Sequence, residues 1–166
     1  MEPKYNPTIE EYVEIIHELQ QHGENARVKD IADKRGVTRS SVSTALALLK
    51  KKKLIVHETY GQVALTQRGE KLGNELEARH QAIKHFLNKI LGLDVETAET
   101  DACKLEHYMS PPAIHLLANF SQYIEKCHYR NPHWLDWFKN CGVFSTGDKT
   151  QICPFCEIRK TNPDEN

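Results

Sequence analysis

"VKDIADKRGVTRSSVSTALALLKKKKLI", residues 28–55, is the stretch that decides the fold. Its first part sets Val28, Ile31 and Ala32 at helical spacing and stops at Gly36, the residue that most readily closes a helix. Thr38 then offers an N-cap to a second helix, whose Val42, Ala45, Leu46 and Leu49 turn to one side. A helix, a tight Gly-containing turn and a Ser/Thr-rich helix make the helix-turn-helix plan. Upstream, "TIEEYVEIIHELQ" (8–20) repeats the period through Ile9, Tyr12, Val13, Ile15, Ile16 and Leu19, with Thr8 as the expected N-cap. Downstream, "LIVHETYGQVALT" (54–66) holds two short β-prone runs around Tyr60-Gly61, a hairpin that reads as a wing.

The helical period returns at Thr66 and runs to about Leu91 through Leu72, Leu76, Ala82, Ile83, Phe86, Leu87, Ile90 and Leu91. This longest helix is a natural spine for dimerisation. A further helix is expected over about 95–109. Another follows Pro111-Pro112, with Ile114, Leu116, Leu117, Phe120, Tyr123 and Ile124. From Cys127 the chain turns rich in Cys, aromatic residues, Pro and Gly. The expected class is mainly α. It comprises a winged helix-turn-helix unit (1–71), a helical metal-binding and dimerisation unit (72–126) and a small Cys-rich C-terminal extension (127–166).

Charged residues make up 27% of the chain and apolar ones 39%, a soluble globular balance. No apolar run reaches the length of a membrane span and no signal-peptide pattern opens the chain, so a cytoplasmic protein with no membrane partner is expected. Five Cys in such a compartment point to metal or redox chemistry rather than a disulfide framework. Net charge is −1, but residues 26–56 hold nine Lys and Arg against two Asp, a local +7. A basic block of this kind is an electrostatic footprint for nucleic acid. Thr38, Arg39, Ser40, Ser41, Ser43 and Thr44 can face base edges and phosphates of double-stranded DNA. Lys29, Lys50 and Lys51, with Lys52 and Lys53 beside them, suit phosphate contacts. No nucleophile–base constellation and no phosphate-binding Gly-rich loop suggests an enzyme or a small-molecule substrate.

"DACKLEHYMSP" (101–111) sets Cys103, Glu106 and His107 at i, i+3, i+4, one face of a helix. Three such donors suit a transition metal, with the rest coming from His80 on the long helix and Glu11 or Glu14 on the first. The same residues also suit a capped helix end with a buried Cys, and spacing alone leaves both open.

From about residue 7 to residue 126 the chain resembles the diphtheria toxin repressor and manganese transport regulator (DtxR/MntR) family of metal-dependent repressors. The resemblance is carried by "EEYVEIIHEL", residues 28–55, "LTQRGE", "ARHQAIKHFLNKILGLD" and "ACKLEHYMSP". It implies a homodimer whose metal occupancy controls operator binding. By that resemblance Cys103, Glu106 and His107 match the ligand triplet, His80 the ligand on the long helix, and Glu11 and Glu14 the donors of the first helix. Lys84 stands where a carboxylate often serves a second metal position, and Glu99 where iron regulators often have a His. A Lys ammonium repels a cation, so one principal site is expected, with Lys84 pairing to Glu99 or Glu14. Thiolate at Cys103 and carboxylate at Glu11 pull the metal preference in opposite directions. Fe(II) is the expected effector, with Mn(II) or Zn(II) as alternatives. A winged-helix regulator sensing redox state through its cysteines is a rival reading.

Cys127, Cys141, Cys153 and Cys156 form C-x13-C-x11-C-x2-C, a set expected to hold structural Zn(II), alternatively an iron–sulfur cluster.

Overall fold

The computed structural model describes residues 5–24, 26–57 and 61–126. Helix α1, Pro7–Gln21, starts earlier than Thr8 suggests. Asn6 is the cap, its carboxamide oxygen accepting from the Thr8 N–H at 2.9 Å, and Pro7 opens the helix where its missing N–H costs nothing. Helix α2, Val28–Arg35, closes as expected on Gly36, at φ 71°, whose N–H reaches Ala32 O at 2.9 Å. Helix α3, Arg39–Lys51, is capped by the Thr38 hydroxyl accepting from Ser41 N–H at 3.3 Å. Strands β1 (Ile55–His57) and β2 (Val63–Leu65) pair antiparallel, with Ile55 opposite Leu65 and His57 opposite Val63. This is the wing.

Thr66 joins the wing to the spine. Its hydroxyl donates to Lys53 O at 2.8 Å and accepts from Gly69 N–H at 3.1 Å, so it fixes the turn at Lys53 (φ 59°) and caps α4, Gln67–His85. Gly69 is required here: a Cβ at that position would lie 2.1 Å from Leu54 O. The sequence reads one α-helix from Thr66 to Leu91. Instead, α4 passes into a π-helical turn at Phe86–Ile90, where Leu91 N–H reaches back to Phe86 O at 3.0 Å. Helix α5, Val95–Leu105, ends before Glu106, short of the expected 109. Helix α6, Pro111–Lys126, follows.

Two apolar clusters hold these elements. The larger joins α1, α2, α3 and the wing through Val13, Ile16, Ile31, Val42, Leu49 and Leu54, and extends to Leu72 and Leu76 of α4. The first half of α4 is therefore part of the winged helix-turn-helix core. The smaller gathers Ile83, Ala102 and Ile114. Leu116 and Tyr123 on α6 stay 67% and 65% exposed, too much apolar surface for a finished outer face. No described helix is long and apolar enough to cross a membrane.

Candidate metal centre

Helix α1 packs along α4, and α4 also packs against α5, so Glu10 and Glu14 of α1 meet residues distant in sequence. Glu106 is the C-cap of α5 and keeps helical backbone angles (φ −58°, ψ −32°), which carries it and His107 along the path the i, i+3, i+4 spacing implies. Both are buried. Donor atoms of Glu14, Glu106 and His107 all lie within 4.8 Å of one another. His107 Nε2 is 3.5 Å from Glu14 Oε2 and 3.7 Å from Glu106 Oε1. His80 of α4 brings Nδ1 to 3.2 Å from Glu106 Oε2. His107 Nε2, by contrast, has no hydrogen-bond partner among the described residues. A buried imidazole nitrogen without a partner, beside two carboxylates, fits a divalent cation.

Cys103 is exposed and stands at the rim, lining a cleft of about 470 Å³ together with Glu14, His80, Glu99 and Glu106. Lys84 Nζ pairs with Glu99 at 2.6 Å, one of the two partners expected, and Glu99 in turn faces His80 Nε2 at 3.1 Å. Glu11 is not brought to the cluster; it is ion-paired to Arg35 of α2. The buried carboxylate that α1 sends inward is Glu10, 1% exposed, which meets His107 Nδ1 at 3.1 Å and Arg79 Nη1 at 3.7 Å. Sequence reasoning missed Glu10 and Arg79. Spacing did not separate the candidates: Glu10 is i−4 and Glu11 i−3 to Glu14, roughly 40° and roughly 60° from it on opposite sides, so both share its face.

The electrostatics favour bound protons where no cation sits. Burial, then the Glu106 charge, pushes the Glu14 carboxyl up to about 7. The Glu10 hydrogen bond raises His107, and Glu106 raises His80. Burial, then Glu106 and Glu14, pushes the Cys103 thiol up. Lys84 holds Glu99 down.

The residues expected to face DNA are at the surface of the helix-turn-helix. Thr38, Arg39, Ser40, Ser41, Ser43 and Thr44 line the exposed start of α3, and Lys29, Lys50 and Lys51 are exposed. Thr38 is committed to its cap, and the Ser43 and Thr44 hydroxyls donate to Arg39 O (2.9 Å) and Ser40 O (3.1 Å). Those hydroxyls keep lone pairs for a partner. Lys51, Lys52, Lys53, Arg68 and Tyr5 surround a second hollow of about 310 Å³ beside the cap of α4. Cys127, Cys141, Cys153 and Cys156 lie outside the described residues.

Fold and site together define a winged helix-turn-helix transcriptional regulator with a helical metal-binding and dimerisation unit. The family model "Iron dependent repressor, metal binding and dimerisation domain" matches residues 66–135, and a MarR family model matches residues 7–61. The HTH-type transcriptional regulator MntR of Bacillus subtilis (strain 168) is 35% identical over 120 residues, 72% of this chain and 84% of that protein. The chain belongs to the DtxR/MntR family of metal-dependent transcriptional repressors. Among solved structures, the manganese regulator SloR is 30% identical with a TM-score of 0.62, over 69% of this chain and 54% of that one. ScaR with bound Zn²⁺ is 28% identical with a TM-score of 0.60, over 69% and 54%. The chain thus spans about half the length of these two structures. These relatives are transcriptional regulators, not enzymes.

Proposed function

We propose that the chain acts as a homodimer that binds double-stranded operator DNA when a divalent metal occupies the Glu14, Glu106 and His107 cluster, with His80 and Cys103 adding donors. The observation that carries this reading is the convergence of buried Glu106 and His107 on Glu14, with His107 Nε2 making no hydrogen bond among the described residues. Fe(II) is the proposed effector and Mn(II) the alternative. Carboxylate and imidazole donors suit both ions, and the Cys103 thiol favours the softer one. When bound, the ion supplies the positive charge that this cluster lacks. The residues around it then hold α1, from the DNA-binding core, against the end of α5. Glu11 belongs to the proposed donor set by resemblance. Joining it requires release of Arg35, which links the site to α2 of the helix-turn-helix. Lys84, paired to Glu99, supports one principal ion rather than two. The exposed apolar residues of α6 support a second copy packing there. Cys127, Cys141, Cys153 and Cys156 are proposed to hold a separate structural Zn(II), on the strength of their sequence spacing.

The test is operator binding titrated anaerobically with Fe²⁺, Mn²⁺ and Zn²⁺, with metal counted per chain. Metal-dependent operator affinity that His107→Ala abolishes is the expected result. Binding that survives chelation but responds to peroxide would sink the metal reading.

A further inference from the structure

His107 is a buried donor of the cluster, and its two ring nitrogens meet different surroundings. Nε2 faces Glu14 and Glu106 and has no hydrogen-bond partner among the described residues. Nδ1 faces Glu10 Oε2 at 3.1 Å, with both side chains buried (4% and 1% exposed) and 97 positions apart in sequence. A neutral imidazole carries its proton on one nitrogen and a lone pair on the other, and the partner of the first decides which. A carboxylate at Nδ1 selects Nδ1–H.

We propose that Glu10 is a positioning residue: it keeps the His107 proton on Nδ1 and so presents the Nε2 lone pair toward Glu14 and Glu106, where a divalent cation binds. This rests on the metal reading of the site. Glu10 touches no cation itself. Its other oxygen faces Arg79 Nη1 at 3.7 Å, which compensates a buried charge that water does not reach. Glu10 thus joins α1 to α4 and to the turn after α5, and the register of α1 and the aim of the ring become one variable. Outer carboxylates of this kind fix a ligand ring and raise its basicity.

A competing role is purely structural: Glu10 as no more than the counter-charge of Arg79. Glu10→Gln separates the two. The carboxamide oxygen still accepts from Nδ1–H, but the ion pair with Arg79 is gone. The experiment uses the full chain with ¹⁵N-labelled His, stripped of metal, at a pH where the ring is neutral. Long-range ¹H–¹⁵N spectra report the tautomer, and titrations with Mn²⁺ and Co²⁺ report affinity. Wild type and Glu10→Gln are expected to show Nδ1–H at His107, and Glu10→Ala to lose that preference. Affinity for Mn²⁺ should fall by about 10- to 100-fold in Glu10→Ala and much less in Glu10→Gln. An Nε2–H ring in the wild type overturns the proposal without any variant. So does Glu10→Ala with unchanged tautomer and affinity, or Glu10→Gln losing as much affinity as Glu10→Ala while the ring spectrum stays the same. A wild type that binds neither ion removes the metal reading, while its ring spectrum still decides which nitrogen Glu10 selects.

Discussion

Replacing Glu14 by Gln should stabilise the metal-free protein at high pH and leave it unchanged at low pH. The Glu14 carboxyl is held at about 7 in the folded chain against an ordinary value of 4.5, chiefly by burial and then by the nearby Glu106 charge. The folded state therefore binds this proton more tightly than the unfolded state. The associated stability is complete below pH 4.5 and is lost as pH rises to about 7, after which the curve flattens. Each pKa unit corresponds to about 1.4 kcal/mol, so the shift corresponds to about 3 kcal/mol, reduced to about 2 kcal/mol because a quarter of the side chain meets solvent. His107 and His80 are raised as well and add loss of the same sign, so the wild-type curve should fall steadily between pH 5 and 8. Gln is neutral throughout and removes the Glu14 share. Thermal unfolding in EDTA should show nearly equal Tm values for wild type and Glu14→Gln at about pH 4, below both pKa values. At pH 8.5 the variant should melt higher by about 4–8 °C. Added Mn²⁺ should reverse that order, because the wild type gains the linkage stabilisation and the variant has lost a donor. A flat wild-type curve in EDTA, or a variant no more stable at pH 8.5, would refute the reasoning.

Three further outcomes are expected. Metal affinity should fall as pH drops below about 7, with protons displaced on binding, because Glu14, His80 and His107 hold protons that a cation must replace; calorimetry in buffers of different ionisation heat measures this. Lys84→Glu removes the ammonium that pairs with Glu99 and adds a carboxylate beside His80, so the helical site should take up a second ion, seen as an increase of one in the metal count per chain. Gly69→Ala would ordinarily favour a helix interior, yet its Cβ would lie 2.1 Å from Leu54 O, so a loss of about 1–3 kcal/mol in denaturant unfolding is expected in place of a gain.

Much of the fold was legible because it rests on local rules. Gly36 stops α2 through its left-handed backbone, Thr38 caps α3, and the apolar period gives α1, α3, α4 and α6 their inward faces. Residues 101–107 announced donors at helical spacing, and that spacing survives the end of α5 because Glu106 keeps helical angles. The neighbours of those donors were not legible. Which of Glu10, Glu11 and Glu14 turns inward depends on the rotation of α1 against α4, and packing of Val13, Ile16, Leu72 and Leu76 sets that rotation. The tertiary structure sends Glu11 to Arg35 and buries Glu10 against His107, a contact between residues 97 positions apart that no local pattern encodes. It also leaves Cys103 at the rim, although the linear spacing groups it with Glu106 and His107. The π-helical turn at Phe86–Ile90 is a further case, since helical periodicity registers an apolar face but not one extra residue in a turn. By itself, then, the sequence determined the elements, their caps and the kinds of donor available, all set within a few residues of chain. Only the packing of α1, α4 and α5 decided which donors meet, because a buried charge takes its partner from whatever side chain the fold brings within reach.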